Sequence, residues 1–307
     1  MKKSVQFGLA LPSGPRPDMA QQAYVDNVQR GLDLVRDRFD SAWFIDHLQY
    51  GDQPLLEAWT IVTYWAALYP QLKFGHVVLC QSFRNPALLA KMAATLQYLT
   101  GGRFVLGIGA GWKEDEYRSY GYDFPQPRVR VEQLDEALQV VKALWAEKQA
   151  TVRGKYYQVV DAYCEPKPDP APVVMIGGTR PRMLRLIARH ADWWNVSWCG
   201  LESYRKLVKE CERACAEAGR DPTTLRRTWY GGCVCAPTEA EVKALNVTQL
   251  STETAFVGTP AQIVEQMQRF VALGVDYFQL NWGVWNSFPD PTTPELLVQE
   301  VLPALNS

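Results

Sequence analysis

Eight short apolar runs, rich in β-branched residues, alternate with longer segments of helical periodicity along the 307 residues. This alternation predicts parallel strands joined by crossover helices. Eight such units in a chain of this length predict an α/β fold consisting of one (β/α)8 TIM barrel with insertions. The predicted strands cover residues 5–11, 42–46, 72–79, 104–109, 173–177, 193–197, 228–235 and 277–280.

Segments of helical period lie between the predicted strands, and no linker is long enough to separate two domains. We therefore expect one domain over residues 1–307, with an inserted hairpin at about residues 150–162. The predicted helices cover residues 21–36, 55–67, 86–99, 131–145, 181–190, 201–218 and 260–273, with a closing helix after Pro294.

Charge and cysteine content exclude several classes of function. The formal net charge is −1 and there is no long basic run, which argues against nucleic acid or an anionic membrane as partner. The apolar N-terminal segment breaks at Pro12, so it is interpreted as a first strand rather than a secretory signal. Seven scattered cysteines without a C-x-x-C pair predict a reduced, cytoplasmic protein with no metal site.

A strand ending in alternating glycines, FVLGIGAGWKEDEY, occupies residues 104–117. The glycines at 107, 109 and 111 would let the bare backbone approach a planar ring or a phosphate. A dinucleotide-binding turn fits poorly, because Trp112 stands where its third glycine is needed. A tight structural turn is the other interpretation of this segment.

Two further strand ends carry candidate chemistry. Asp46 and His47 follow the second strand, and a histidine at a catalytic rim is a candidate acid–base group, although a lone histidine is more often structural. Residues 177–180, GGTR, lie between the fifth strand and a helix. The free N–H groups of such a helix start can bind a phosphate, although a simple strand-to-helix turn has the same sequence.

These segments resemble the bacterial-luciferase-like oxidoreductases, especially the branch that uses the deazaflavin coenzyme F420. The resemblance covers nearly the whole chain. It is carried by WFIDH at residues 43–47, RNPALLAKMAATLQYLTGGRFVLGIGAGW at 84–112, IGG with RLIARHADWWN up to 195, and VGTPAQIVEQ at 257–266. It implies a TIM barrel that holds F420, or alternatively FMN, at its carboxyl rim.

The resemblance also implies which residues form the cofactor site. The coenzyme phosphate would lie on the GGT turn, and the ring system would lie against a bulge in the third strand, with a non-prolyl cis peptide at Val77-Val78. The implied cofactor-binding residues are Asp46, His47, His76, Val77, Val78, Cys80, Gly109, Ala110, Gly111, Gly177, Gly178, Thr179 and Asn195.

His47 and Glu116 are the catalytic candidates. His47 could donate a hydrogen bond to the ring or move a substrate proton. Some deazaflavin dehydrogenases place a glutamate proton donor where this chain has Trp112, so that donor cannot be transferred. The acidic run at 114–116 is typical of solvated surface, and only Glu116, beside Tyr117, is kept as a candidate.

Aromatic residues near the strand ends are candidates for a substrate pocket, although any single tryptophan is more often part of a core. They are Phe83, Trp112, Trp198, Trp282 and Trp285. No cluster of lysines and arginines accompanies them, which favours an apolar or planar small-molecule substrate over a sugar phosphate.

Three functions remain open at the level of sequence. The first is an F420-dependent oxidoreductase that transfers hydride to or from a small organic substrate. The second is an FMN-dependent monooxygenase that uses oxygen and reduced flavin. The third is a non-catalytic flavin-binding homologue. The resemblance further implies a homodimer and a separate flavin or F420 reductase as a possible partner.

Overall fold

The computed structural model describes residues 4–245, 253–281 and 292–307. The strands of this part of the chain are β1 (Gln6–Ala10), β2 (Ser41–Phe44), β3 (Lys73–His76), β4 (Leu79–Cys80), β5 (Phe104–Gly109), β6 (Ala150–Arg153), β7 (Gln158–Ala162), β8 (Val173–Gly177), β9 (Trp193–Ser197), β10 (Arg226–Cys235), β11 (Ala255–Gly258) and β12 (Val275–Asn281).

Eight of these strands close into a parallel barrel in the order β1-β2-β3-β5-β8-β9-β10-β12, with β12 pairing back to β1. All eight predicted strands are present, so the predicted (β/α)8 barrel is confirmed. β11 was not predicted, and it adds to the sheet beside β10. The predicted hairpin is also confirmed, since β6 and β7 pair antiparallel after the fourth long helix.

The helices follow the strands in the manner expected of this fold. They are α1 (Gln21–Val35), α2 (Ala58–Leu68), α3 (Pro86–Thr100), α4 (Glu114–Ser119), α5 (Pro127–Ala146), α6 (Pro181–His190), α7 (Leu201–Glu217), α8 (Glu239–Ala244), α9 (Pro260–Val271), α10 (Thr292–Leu296) and α11 (Leu302–Asn306). Of the helices described, none is both long and apolar enough to cross a membrane.

Local sequence explains where several helices begin and end. Asn85 accepts hydrogen bonds from Ala87 N and Leu88 N at the start of α3, and Gly101 ends that helix with a φ of +65°. At the start of α9, Thr259 and Gln262 form a reciprocal capping box ahead of a proline at the first helical position. These signals fix helix ends independently of the rest of the barrel.

Two apolar layers hold the barrel together. Apolar side chains from around the whole barrel fill its interior, and the largest include Trp43, Met175, Trp193 and Tyr277. The ring centroids of Trp193 and Tyr277 are 4.8 Å apart. The second, larger layer packs the outer faces of the strands against the helices. Because the interior is filled, a ligand site has to lie at the mouth of the barrel rather than inside it.

The third barrel strand is interrupted by a bulge between β3 and β4. Val77 and Val78 are joined by the predicted non-prolyl cis peptide bond. Gly107 on β5 packs directly against this bulge, because a Cβ there would lie 1.8 Å from the carbonyl oxygen of His76. The first glycine of the GIGAG segment therefore serves the packing of the barrel wall.

Candidate active site

A cavity of about 760 Å³ opens at the carboxyl ends of the barrel strands, where the fold predicts the site. It collects most of the residues predicted from sequence. Those that line it are Asp46, His47, Val77, Val78, Cys80, Gly109, Ala110, Gly111, Trp112, Glu116, Gly177, Gly178, Thr179 and Trp198.

The two catalytic candidates are in direct contact. His47 Nδ1 lies 3.0 and 3.1 Å from the two carboxylate oxygens of Glu116, and the Leu48 N–H donates to the same carboxylate at 3.1 Å. The Glu116 side chain is almost fully buried and that of His47 is 12% exposed. The carboxylate therefore fixes the imidazole by one nitrogen and leaves the other, Nε2, without a hydrogen bond in the described part of the chain.

The three carboxylates of the acidic run at 114–116 lie in different environments. Glu114 and Asp115 are exposed and form ion pairs with Arg118 and Lys113, as expected for a solvated surface. Glu116, one residue further, points inward from α4. The three carboxylates in the first turn also suit the positive end of this short helix, which begins without a side-chain cap.

Asp46 lines the cavity, but its oxygens are engaged in holding the bulge. Arg84 donates to both of them, at 2.8 and 3.1 Å, and the Cys80 N–H donates to one at 2.8 Å. Arg84 also contacts Glu57, which begins α2. The bulge that forms one wall of the cavity is thus fixed through Asp46 to two helix starts.

The opposite wall contains the turn predicted to bind phosphate. Gly178 has a φ of +151° and lies against Met183, and α6 begins at Pro181 without a side-chain cap. Thr179 and Arg180 complete the turn and line the cavity. Uncapped N–H groups at a helix start, with a hydroxyl and a guanidinium beside them, form a cradle that fits a phosphate.

Apolar and aromatic side chains form the rest of the cavity. Trp112 is 65% exposed and meets the His47 ring edge-on at 5.8 Å, and Tyr50 meets the same ring at 5.6 Å. Trp198 packs on Tyr230 at 5.8 Å on the far side. The side chain of Val78 lies between two strand ends, where a Cβ on Gly109 would come within 2.9 Å of it and one on Gly177 within 3.2 Å.

Cys80 faces the cavity as a neutral thiol. Burial raises its pKa to about 11, and its sulfur lies 2.8 Å from the hydroxyl of Tyr117. The same hydroxyl would be 1.9 Å from a Cβ on Gly111, whose φ is +75°. The last glycine of the GIGAG segment is therefore required by a neighbouring side chain and by its own backbone.

His76 was predicted to bind the cofactor, but the structure places its side chain outside the cavity. Its side chain is fully buried on the helix-facing side of β3, stacked on Trp59 at 5.4 Å, with Nε2 3.3 Å from the carbonyl oxygen of Ala58. Burial lowers the pKa of His76 to about 4, so it is neutral at physiological pH.

Asn195 and Phe83 also lie outside the cavity, contrary to prediction. Asn195 is 1% exposed and donates to Thr228 at 2.9 Å and to Gln279 at 2.7 Å, in a polar layer inside the barrel below the mouth. Phe83 packs into a small aromatic cluster with Tyr117, at 5.0 Å, behind the wall. The remaining two predicted pocket residues, Trp282 and Trp285, lie outside the described residues.

Sequence reasoning missed several residues that line the cavity. They are Ser13, Tyr50, Met183, Tyr230 and Asn281. Ser13 follows β1, and Asn281 ends β12 and hydrogen-bonds Tyr230, whose pKa is raised by burial. Reading the end of the first strand with the same attention as the others would have found Ser13.

Comparison with known proteins agrees with the fold. A sequence profile of the luciferase-like monooxygenases matches residues 5–251. An F420-dependent glucose-6-phosphate dehydrogenase of Kineococcus radiotolerans is 33% identical over 198 residues, 62% of this chain and 58% of that protein. A phthiodiolone/phenolphthiodiolone dimycocerosates ketoreductase of a Mycobacterium species is 32% identical over 220 residues, 63% of this chain and 57% of that protein. The chain thus spans somewhat more than half the length of these relatives.

Solved structures show the same fold. An F420-dependent secondary alcohol dehydrogenase in complex with an F420-acetone adduct superposes with a TM-score of 0.84 at 19% identity, covering 99% of this chain and 100% of that one. The oxygenating constituent of 3,6-diketocamphane monooxygenase from a Pseudomonas putida plasmid, in complex with FMN, gives a TM-score of 0.80 at 19% identity, covering 98% and 99%. Since the profile match covers most of the sequence, the chain belongs to the luciferase-like monooxygenase family.

Proposed function

We propose that this protein is an F420-dependent oxidoreductase that transfers hydride between the deazaflavin and a small, apolar organic substrate. The observation that carries the proposal is the His47–Glu116 pair, an acid–base group held by a buried carboxylate at the mouth of a cofactor-sized cavity. Relatives that use F420 add support from sequence.

The residues of the cavity fit the coenzyme. The phosphate would lie on the turn formed by Gly177, Gly178 and Thr179, and the ring would rest against the apolar bulge at Val77 and Val78. When bound, the deazaflavin supplies the carbon that gives or accepts hydride. The protein's part is to bind, to orient and to manage the accompanying proton.

His47 is the group placed to move that proton. Because Nδ1 faces the Glu116 carboxylate, it carries the hydrogen, and Nε2 is left to accept a proton from a substrate hydroxyl or to return one to a carbonyl. Glu116 is a positioning residue that fixes the tautomer and stabilises the imidazolium, as second-layer carboxylates do in other acid–base pairs. No further donor at position 112 is needed for this scheme.

The composition of the cavity favours an apolar substrate. Trp112, Tyr50, Trp198 and Tyr230 line it, and Arg180, at the phosphate turn, is the one cationic side chain among its described lining residues. A sugar phosphate would add a phosphate dianion that has no cationic partner of its own in the cavity. We therefore infer a substrate class unlike that of the glucose-6-phosphate dehydrogenases, such as a secondary alcohol or ketone.

Fluorescence titration of purified protein with F420 and with FMN tests the cofactor. We expect at least tenfold tighter binding of F420, a difference of about 1.4 kcal/mol. Bleaching of oxidised F420 by secondary alcohols, and return of its absorbance when ketones oxidise the reduced form, then tests hydride transfer. Tighter FMN binding with oxygen-consuming turnover would contradict the proposal.

The FMN-dependent monooxygenase is the second candidate, because the matching family profile describes monooxygenases and an FMN complex shares the fold. It would require a separate reductase to supply reduced flavin. Binding of either cofactor without turnover under any of these conditions would instead support a non-catalytic homologue.

We further propose a cytoplasmic homodimer. All seven cysteines are free thiols, as a reducing compartment requires. The exposed surface of α2 and α3 is unusually apolar, since α2 contains no charged residue and Leu68 and Leu99 are 54% and 72% exposed. A second copy covering these two helices would remove this apolar surface from water.

A further inference from the structure

We propose that the exposed face of α6 binds the acidic tail of coenzyme F420, an inference that rests on the proposed function. Beyond its phosphate the coenzyme carries a chain of glutamates, which FMN lacks. α6 begins directly after the GGTR turn at 177–180, so a chain leaving a phosphate bound there starts beside this helix.

The outward face of α6 is a row of arginines. Arg182, Arg185 and Arg189 are exposed and spaced three and four residues apart, which places them on one face, while Met183 and Ile187 are buried against the sheet. The three arginines line a groove of about 390 Å³ between α5, α6 and α7. Positive side chains thus continue from the phosphate turn into this groove.

Two of the acidic groups in the groove are already paired. Glu132 accepts from Arg128 at 2.6 Å, and Asp135 accepts from Arg189 at 3.3 Å and pairs with His190 at 2.7 Å. The hydrogen bond to His190, with the charge of Arg189, lowers the pKa of Asp135. Both carboxylates are therefore satisfied within the groove and leave the other arginines uncompensated.

The side chains of Arg180, Arg182 and Arg185 make no hydrogen bond or ion pair in the described part of the chain. The remaining carboxylate of the groove, Glu217, lies at the C-terminal end of α7. Three like charges within two turns of helix repel one another, and a ligand with several carboxylates would relieve this repulsion. A ligand that ends at its phosphate would use Arg180 alone.

The test compares three ligands by fluorescence titration: F420 with several glutamates, the same coenzyme with its glutamates removed but its phosphate retained, and FMN. The tail-directed variant is R182Q/R185Q. The matched control, R30Q/R38Q, removes two exposed arginines that are likewise unpaired in the described structure and are remote in sequence from α6.

We expect the wild-type protein to bind the tailed coenzyme about three- to tenfold more tightly than the tail-less form, the scale of two exposed ion pairs, and less so at high salt. R182Q/R185Q should lose this preference while binding the tail-less form and FMN as the wild type does. R30Q/R38Q should keep the preference.

Equal affinity of the wild-type protein for the two deazaflavin forms would overturn this inference alone, as would a preference that survives in R182Q/R185Q. Failure of both deazaflavin forms to bind would overturn the proposed function, and this inference with it.

Discussion

At the scale of single residues, Glu116 shows how surroundings decide the role of a carboxylate. Its two neighbours in sequence are exposed and paired at the surface, whereas Glu116 is 2% exposed and receives hydrogen bonds from two groups of the second strand's loop. A buried carboxylate is retained only with such partners. Its position next to His47 makes it part of the site rather than of the surface.

Replacing His47 with Ala should lower turnover by about 10²-fold or more, because the proton that accompanies hydride transfer then has no carrier. The fold should persist, since Leu48 N–H still bonds Glu116. Steady-state kinetics and thermal unfolding are measured on the same preparation. A loss of stability that parallels the loss of activity would favour a structural histidine.

Replacing Glu116 with Gln should lower kcat by about tenfold and leave KM for the substrate nearly unchanged, because a neutral amide can hold the ring but cannot stabilise its charged form. The measurement that decides is whether the substitution changes kcat or KM, determined by steady-state kinetics. A rise in KM with constant kcat would place Glu116 in substrate binding instead.

His76 should make the protein less stable in mild acid. Burial lowers its pKa from 6.5 to about 4. Below pH 6.5 the imidazole therefore becomes protonated in the unfolded chain while it stays neutral in the folded protein. Stability contributed by this group is complete above pH 6.5 and is lost as the pH falls toward 4. Between pH 7.5 and 5 it should cost about 2 kcal/mol of unfolding free energy.

Urea unfolding at the two pH values measures this effect, and His76→Phe provides the control because it keeps the stack on Trp59 and cannot titrate. The variant should lose the His76 part of the pH dependence. An unchanged difference between the two pH values would show that other groups cause it.

At the scale of secondary-structure elements, the bulge between β3 and β4 depends on one clamp. Asp46 lies at the start of the loop after β2, and Arg84 lies just before α3. The two side chains are 1% and 10% exposed. Their bidentate contact joins two elements across the wall of the cavity. The wall that would support the coenzyme ring therefore relies on this pair.

Arg84→Met should destabilise the protein by about 3 kcal/mol, because it leaves a buried carboxylate without its counter-charge. Arg84→Lys keeps the charge but cannot span both oxygens, so its loss should be smaller. Urea unfolding and cofactor titration are measured for both variants. If Arg84→Met is as stable as the wild type, the clamp has no structural role.

The elements differ in how well the sequence predicted them. Long helices with caps and continuous apolar strands were found because their signals are local, and α6 was predicted residue for residue. α4 was missed because six residues with three acids show no clear period. β11 was missed because its four residues are too few to show an alternating pattern.

The site was predicted as a region more accurately than as a set of contacts. Alternation along β3 could have excluded His76, since it shares a face with the buried Phe74. No local signal pairs His47 with Glu116, which are 69 residues apart in sequence. That contact depends on barrel closure, which brings the ends of β2 and β5 to one rim.

At the scale of the whole molecule, the sheet closes into a barrel with the cavity at one end and a ring of helices around the outside. Most of that ring is polar on its outer side, whereas α2 and α3 expose Tyr64, Leu68, Leu88, Tyr98 and Leu99. Apolar surface of this kind on adjacent helices is typical of subunit interfaces.

Light scattering should therefore give a mass near twice 34.8 kDa for the wild-type protein. Leu68→Glu combined with Leu99→Glu should yield monomers, since two buried charges oppose association. Val160→Glu, an equally exposed position on the β6–β7 hairpin, should remain dimeric. A monomeric wild-type protein would contradict the proposed dimer.

Val78 restricts which substitutions the barrel can accept at two other positions. Its side chain occupies the space that a Cβ on Gly109 or Gly177 would need, at 2.9 and 3.2 Å. Alanine at Gly109 is thus excluded while valine is present and becomes admissible once position 78 has become smaller. The same substitution is harmful in one sequence background and neutral in another, so the three positions are epistatic and their changes can accumulate only in a certain order.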